Sequence, residues 1–198
     1  REGVPVLIHG YHDFDNRVDP LALLAALELP VAASLPEAAS QLATRRLSVV
    51  PVAQLCPGLV PLLALRTRLG VRNCGHTLAK LVDPCPGRSV RVIPLTHPHF
   101  LETLQPVLAA KGATALLMRG TEGEAYANPR RRPDLLGFRQ GSAELLFPQE
   151  SLPLPEGAAA DCSIEANVAV IRAMLAGEIP VPQPIRDQVA ALQRLATA

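Results

Sequence analysis

Four short apolar runs recur along this chain, and helical segments lie between them. The runs are Val-Pro-Val-Leu-Ile at 4–8, Leu-Ser-Val-Val-Pro-Val at 47–52, Ser-Val-Arg-Val-Ile-Pro-Leu at 89–95 and Ala-Thr-Ala-Leu-Leu-Met at 113–118. An apolar run without alternation has no polar face to offer water, so it predicts a strand covered on both sides. Such strands alternating with helices predict an α/β fold, a mostly parallel sheet flanked by helices, in a single α/β domain over 1–198. A further strand is expected at 142–147.

Local signals place the helices. Asp19-Pro20 supplies an N-cap and a proline at the first helical position, predicting a helix over 21–29. Ser34-Leu35-Pro36-Glu37 reads as a capping box for a helix ending near Arg46. Pro57-Gly58 opens a helix that Gly70 stops. Thr96 is expected to cap a helix over 97–111, with Gly112 after it. Asp161 is expected to cap a helix carrying Ile164, Val168, Ile171 and Leu175, and a last helix starts near Ile185.

Composition sets limits on function. The chain has 198 residues, 48% hydrophobic and 3% aromatic with no Trp, so its core must be built from Leu, Val and Ala. The scarcity of rings argues against a base-stacking platform. Net charge is +1, so attraction for a polyanion must come from local clustering. Cys56, Cys74, Cys85 and Cys162 form no CxxC pair and read as scattered thiols of a reducing compartment. With no long apolar run and no signal-peptide pattern, a cytoplasmic protein with no membrane partner is expected. The chain opens on Arg1, almost directly before a strand, which predicts that something upstream is missing.

The clustering is there. Between Arg66 and Arg91 lie six Lys or Arg and one acid, Asp83. Wound as a helix over 72–82, this stretch places Arg72, His76 and Lys80 on one face, and Val71, Cys74, Leu78, Leu81 and Val82 on the other. Arg66 and Arg68 precede it. Such a row can track phosphates, and it is equally what an ordinary solvated helix face looks like. A second basic site is Asn128-Pro-Arg-Arg-Arg-Pro133, where Arg130, Arg131 and Arg132 form either a phosphate-gripping loop or a plain exposed one. Arg119 opens a Gly-containing loop in which Glu122 and Glu124 are weak candidates for Mg²⁺. His9 ends a strand as a possible base or phosphate ligand, or as a structural histidine. His97 and His99, two apart at a helix start, do not face each other as metal ligands would.

Two longer motifs, Leu-Gly-Val-Arg-Asn-Cys-Gly-His-Thr-Leu-Ala-Lys-Leu-Val-Asp-Pro at 69–84 and Arg-Gly-Thr-Glu-Gly-Glu-Ala-Tyr-Ala-Asn-Pro-Arg-Arg-Arg-Pro at 119–133, carry a resemblance. With them the chain resembles the anthranilate phosphoribosyltransferase-like family (glycosyltransferase family 3), most closely its YbiB-type DNA-binding branch. Val-Pro-Val-Leu-Ile-His-Gly at 4–10, the helix start at 19–30, and the segments at 164–178 and 186–192 support it. The resemblance implies the α/β part of that fold, without the family's upstream helical domain and its GTGGD-type pyrophosphate loop. Family members dimerise largely through that domain, so a homodimer is expected of a full-length protein and not of this stretch.

The chain departs from the enzymes where their ligands bind. Of their R-T-x-F-N-x-L-G-P-L-x-N-P pattern it keeps Arg72, Leu78, Leu81 and Pro84, with His76 for Asn and Ala79-Lys80 for Gly-Pro. Losing Gly-Pro is expected to let the helix continue and to add a cation to it. The acidic pair for Mg²⁺ is matched by Ala125-Tyr126, and the K-H-G-N turn by Ile8-His9-Gly10-Tyr11. These departures imply a non-catalytic nucleic-acid binder, DNA foremost, needing no cofactor. Arg66, Arg68, Arg72, His76, Lys80, Arg119, Arg130, Arg131 and Arg132 would be its phosphate contacts. The alternative is phosphoribosyl transfer from phosphoribosyl pyrophosphate (PRPP) to an aromatic amine. His9, Gly10 and Arg72 would then hold substrate, and Glu122 or Glu124 would hold Mg²⁺.

Overall fold

The computed structural model describes residues 3–11, 18–29, 31–121, 123–158 and 163–197. Where one domain is expected, the backbone gathers into two compact units. One comprises Arg1–Val82 and Ala159–Glu178, the other Asp83–Ala158 and Ile179–Ala198.

The first unit begins with β1 (Val6–Gly10), α1 (Pro20–Ala26), α2 (Leu35–Arg45) and β2 (Leu47–Pro51). β1 and β2 pair in parallel, with His9 opposite Val50. Two of the predicted caps are in place. The Asp19 carboxylate accepts from the Leu21 N–H at 2.9 Å, and the Ser34 hydroxyl accepts from the Glu37 N–H at 3.3 Å. Three helices follow, α3 (Val52–Leu55), α4 (Leu59–Leu69) and α5 (Cys74–Ala79). Gly70 ends α4 at φ 70°, donating its N–H to the Arg66 carbonyl. One core cluster joins Ala32, Ala38 and Val50, and another joins Val52, Leu59 and Leu63.

In the second unit β3 (Arg91–Leu95), α6 (Pro98–Ala110) and β4 (Ala115–Arg119) form a parallel crossover. Here the fold departs from a mostly parallel sheet. After β5 (Arg131–Arg132), a hairpin of β6 (Leu135–Arg139) and β7 (Ser142–Phe147) completes the order β3-β4-β6-β7, and both added strands run antiparallel. β6 escapes sequence reading because its turn is Gln140-Gly141, not the commoner Asn-Gly. Both residues have positive φ, 48° and 83°, as a two-residue hairpin turn requires. β8 (Glu150–Ser151) pairs antiparallel with β5.

The chain then returns to the first unit as α7 (Ile164–Ala176). Ser163 is its N-cap, accepting from the Ala166 N–H, in place of the expected Asp161, which lies outside the described residues. α8 (Gln183–Thr197) closes the second unit, packing on β4, β6 and β7. Leu116, Met118, Leu135, Ala191 and Leu195 form its core, with each fully buried leucine contributing about 2 kcal/mol of transfer free energy.

The hairpin turn gives a test. Gln140 holds a left-handed conformation that asparagine adopts more readily. Gln140→Asn is expected to stabilise the protein by about 0.5 kcal/mol, read as a rise in the urea midpoint with unchanged slope.

Candidate nucleic-acid interface

The basic stretch around α5 does not form the predicted row. The helix is six residues long. Asn73 caps it, its side chain accepting from the Gly75 N–H at 2.8 Å, while its Nδ2 donates to the Leu62 carbonyl on α4 at 2.6 Å. His76 completes a capping box, Nδ1 accepting from the Asn73 N–H at 3.3 Å. Arg72 therefore precedes the helix. Lys80 is its C-cap, so loss of the enzymes' Gly-Pro does not prolong it.

The predicted core face is also different. Val71 and Leu78 are 62% and 45% exposed, and Cys74 is exposed. The helix packs instead through Gly75 and Ala79, while Val82, which was expected on the core face, joins the cluster of Val52, Leu59 and Leu63 from beyond the helix end. A Cβ on Gly75 would stand 2.9 Å from the Asn73 side-chain oxygen and 3.0 Å from the Leu62 Cβ, so glycine lets the two helices approach closely.

What remains is a cationic neighbourhood around His76. Burial holds its pKa below the usual histidine value, and the positive charges of Arg72, Arg66 and Lys80 act the same way. A neutral ring is also what the capping geometry uses, because a protonated Nδ1 cannot accept a hydrogen bond. Arg68 is exposed in the last turn of α4.

In the second unit the three consecutive arginines divide. Arg130 and Arg131 are exposed, and their N–H groups donate to the Asn128 side-chain oxygen at 2.9 and 3.1 Å, which sets the turn. Arg132 is 6% exposed. Its guanidinium pairs with Asp187 of α8 and with Glu150 at 2.8 Å, donates to the Pro148 carbonyl, and lies over the Phe147 ring at 5.4 Å. Arg132 is thus a structural anchor, and the expectation of a phosphate contact fails there because its charge and donors are already spent. Beside it, buried Gln188 accepts from the Ala127 N–H at 2.7 Å and donates to the Ala125 carbonyl at 2.9 Å. Two polar residues of α8 therefore fasten the loop that carries Arg130 and Arg131. Sequence reading passed over both, although they fall in the buried stripe of Pro184, Ala191 and Leu195, where a polar pair signals a buried partner.

Arg119 ends β4, exposed, with no ion pair among the described residues. Gly120 follows where a Cβ would lie 2.7 Å from the Pro94 Cβ. His9 sits within β1 rather than beyond it, and burial lowers its pKa. Gly10 ends the same strand with open space at its Cβ position, so sterics do not demand glycine there. Glu124 is exposed, and Glu122 lies outside the described residues. Among the described residues no group of three or more His, Cys, Asp or Glu is placed to hold a metal ion.

Asp187→Ala leaves Arg132 buried with only the half-exposed Glu150 as its carboxylate, and is expected to cost about 3 kcal/mol in urea unfolding. The histidines give a pH dependence. Both are less basic folded than unfolded, so the unfolded chain binds more protons below the ordinary value of 6.5. Stability is full above that pH and is lost as pH falls through the folded values. His76→Gln retains a capping-box side chain without a titrating ring, and its stability is expected to fall less between pH 7.5 and 5.5 than that of the parent.

No protein-family model matches the chain. It is 32% identical over 189 residues, 95% of its length, to the Escherichia coli (strain K12) protein named "Uncharacterized protein YbiB", of which it spans 59%. Among solved structures it is similar to anthranilate phosphoribosyltransferase (TrpD) from Thermus thermophilus, with a TM-score of 0.69 over 98% of this chain and 59% of that one, at 23% identity. The chain thus spans about three-fifths of the length of both. It has the α/β fold of anthranilate phosphoribosyltransferase, and YbiB is its relative in sequence.

Proposed function

We propose that this chain is a nucleic-acid-binding protein, DNA foremost, on a phosphoribosyltransferase-type scaffold, acting without catalysis and in the cytoplasm. The observation that carries this reading is the loop of Arg130 and Arg131. Both side chains are exposed, and neither has an ion pair among the described residues. Their backbone is held by Asn128 and, close by, by Gln188. A cation on a fixed loop loses less freedom on meeting a phosphate than one on a mobile loop.

The near-neutral net charge is compatible with this, because charge is unevenly used. Asp83 faces Arg91, Glu28 faces Arg172, Glu144 faces Arg194, and Asp187 and Glu150 face Arg132. Those carboxylates are committed to other arginines, which leaves Arg68, Arg119, Arg130 and Arg131 to act on solvent. No helix among the described residues is long and apolar enough to cross a membrane.

The likeness to anthranilate phosphoribosyltransferase favours a second reading, transfer of a phosphoribosyl group to an aromatic amine. In it His9, Gly10 and Arg72 contact substrate. Turnover of PRPP by this protein would support that reading.

Binding through phosphates should be sequence-tolerant and salt-dependent, since each contact releases counterions. Titrating labelled DNA at several salt concentrations is expected to give a falling line of log affinity against log salt. Arg130→Glu with Arg131→Glu should weaken binding at least tenfold at low salt and flatten the slope by about two contacts. A salt-independent affinity, or one unchanged by the double reversal, would sink the proposal.

A further inference from the structure

Aromatic residues make up only 3% of this chain, which argues against stacking as a mode of recognition. The structure nevertheless gathers three exposed rings at one end of the second unit. His97 is the N-cap of α6, and His99 and Phe100 lie in its first turn. The His97 and Phe100 centroids are 6.2 Å apart at an interplanar angle of 63°, and those of His99 and Phe100 are 5.9 Å apart at 47°. All three residues are exposed, and Phe100 is 43% exposed. Phe100 prolongs the stripe of Leu104 and Leu108 by one turn, past the part of the helix that is buried.

The rings lie at the same sheet end as a cation. Arg119 is the register partner of Leu95, two residues before His97, and the Gly120 N–H donates to the Leu95 carbonyl at 3.0 Å. Exposed rings at the same sheet end as a guanidinium can take the two chemistries of an unpaired nucleotide, its flat base and its phosphate. In a duplex the base faces are stacked on one another and cannot be used in this way.

We infer that His97, His99 and Phe100 form a stacking platform for unpaired bases, with Arg119 receiving the adjoining phosphate, so that a single strand is preferred to a duplex. This deepens the nucleic-acid reading and rests on it. Because every base has a π-face, the platform keeps binding sequence-tolerant.

The test uses fluorescence anisotropy with a labelled oligothymidylate of about 20 nucleotides, longer than a typical single-strand site, and a labelled duplex of equal length. The proteins are the parent, Phe100→Ala and Phe100→Trp. The parent is expected to bind the single strand more tightly than the duplex. Phe100→Ala should lose roughly tenfold on the single strand, the order expected for one stacked base, with duplex affinity unchanged. Phe100→Trp should restore the loss. Single-strand binding indifferent to Phe100→Ala would overturn the platform while leaving nucleic-acid binding intact. An equal loss on both ligands would overturn it too, by making the ring structural. Failure of the parent to bind either ligand would remove the underlying reading as well.

Discussion

A guanidinium taken out of water is stable only if charge and hydrogen bonds replace what water gave it. Arg132 meets that condition in the second unit through Asp187, Glu150, the Pro148 carbonyl and the face of Phe147. The partners come from three places in the chain. Asp187 belongs to α8, Glu150 to β8, and Phe147 and Pro148 to the end of β7. One side chain thereby ties the short β5–β8 pair to the terminal helix and to the last strand of the sheet. Gln188, the next residue of α8, extends the attachment to the loop backbone at Ala125 and Ala127. Arg130 and Arg131, immediately before the anchor, are presented outward as a result.

The same economy of charge explains how a chain with net charge +1 can carry cationic surfaces. Five of its 18 acidic residues face particular arginines, two of the five the buried anchor. In the first unit a different device operates. Arg66, Arg72 and Lys80 surround a histidine held neutral by burial and by its part in the capping box, so positive charge gathers around a ring that carries none. Like charges held close repel, and that repulsion is relieved when an anion arrives.

Much of the fold was legible in the residues. The Asp19 and Ser34 caps, the Gly70 stop and the strands before α6 and before the Arg119 loop rest on local chemistry, and local chemistry is what a sequence displays directly. β6 was not legible, because its pairing depends on β4 and β7 and its turn uses an uncommon dipeptide. α5 is shorter than its residues suggest, because Asn73 caps it, so the helix starts after Arg72 and ends before Lys80. Arg132 cannot be told from its neighbours by local chemistry, because three adjacent arginines look alike in sequence. Only the approach of Asp187, 55 residues away, separates the buried one from the exposed two.

In the proposed function a loop fastened by buried polar contacts offers its arginines to phosphates. The most direct measurement is a backbone amide NMR titration of the isotopically labelled protein with a short oligonucleotide. Shift changes are expected at Arg119, at Asn128 to Arg131 and along the segment from Arg66 to Lys80, with the inner face of α8 still. Changes confined to other surfaces, or none at saturating oligonucleotide, would contradict it.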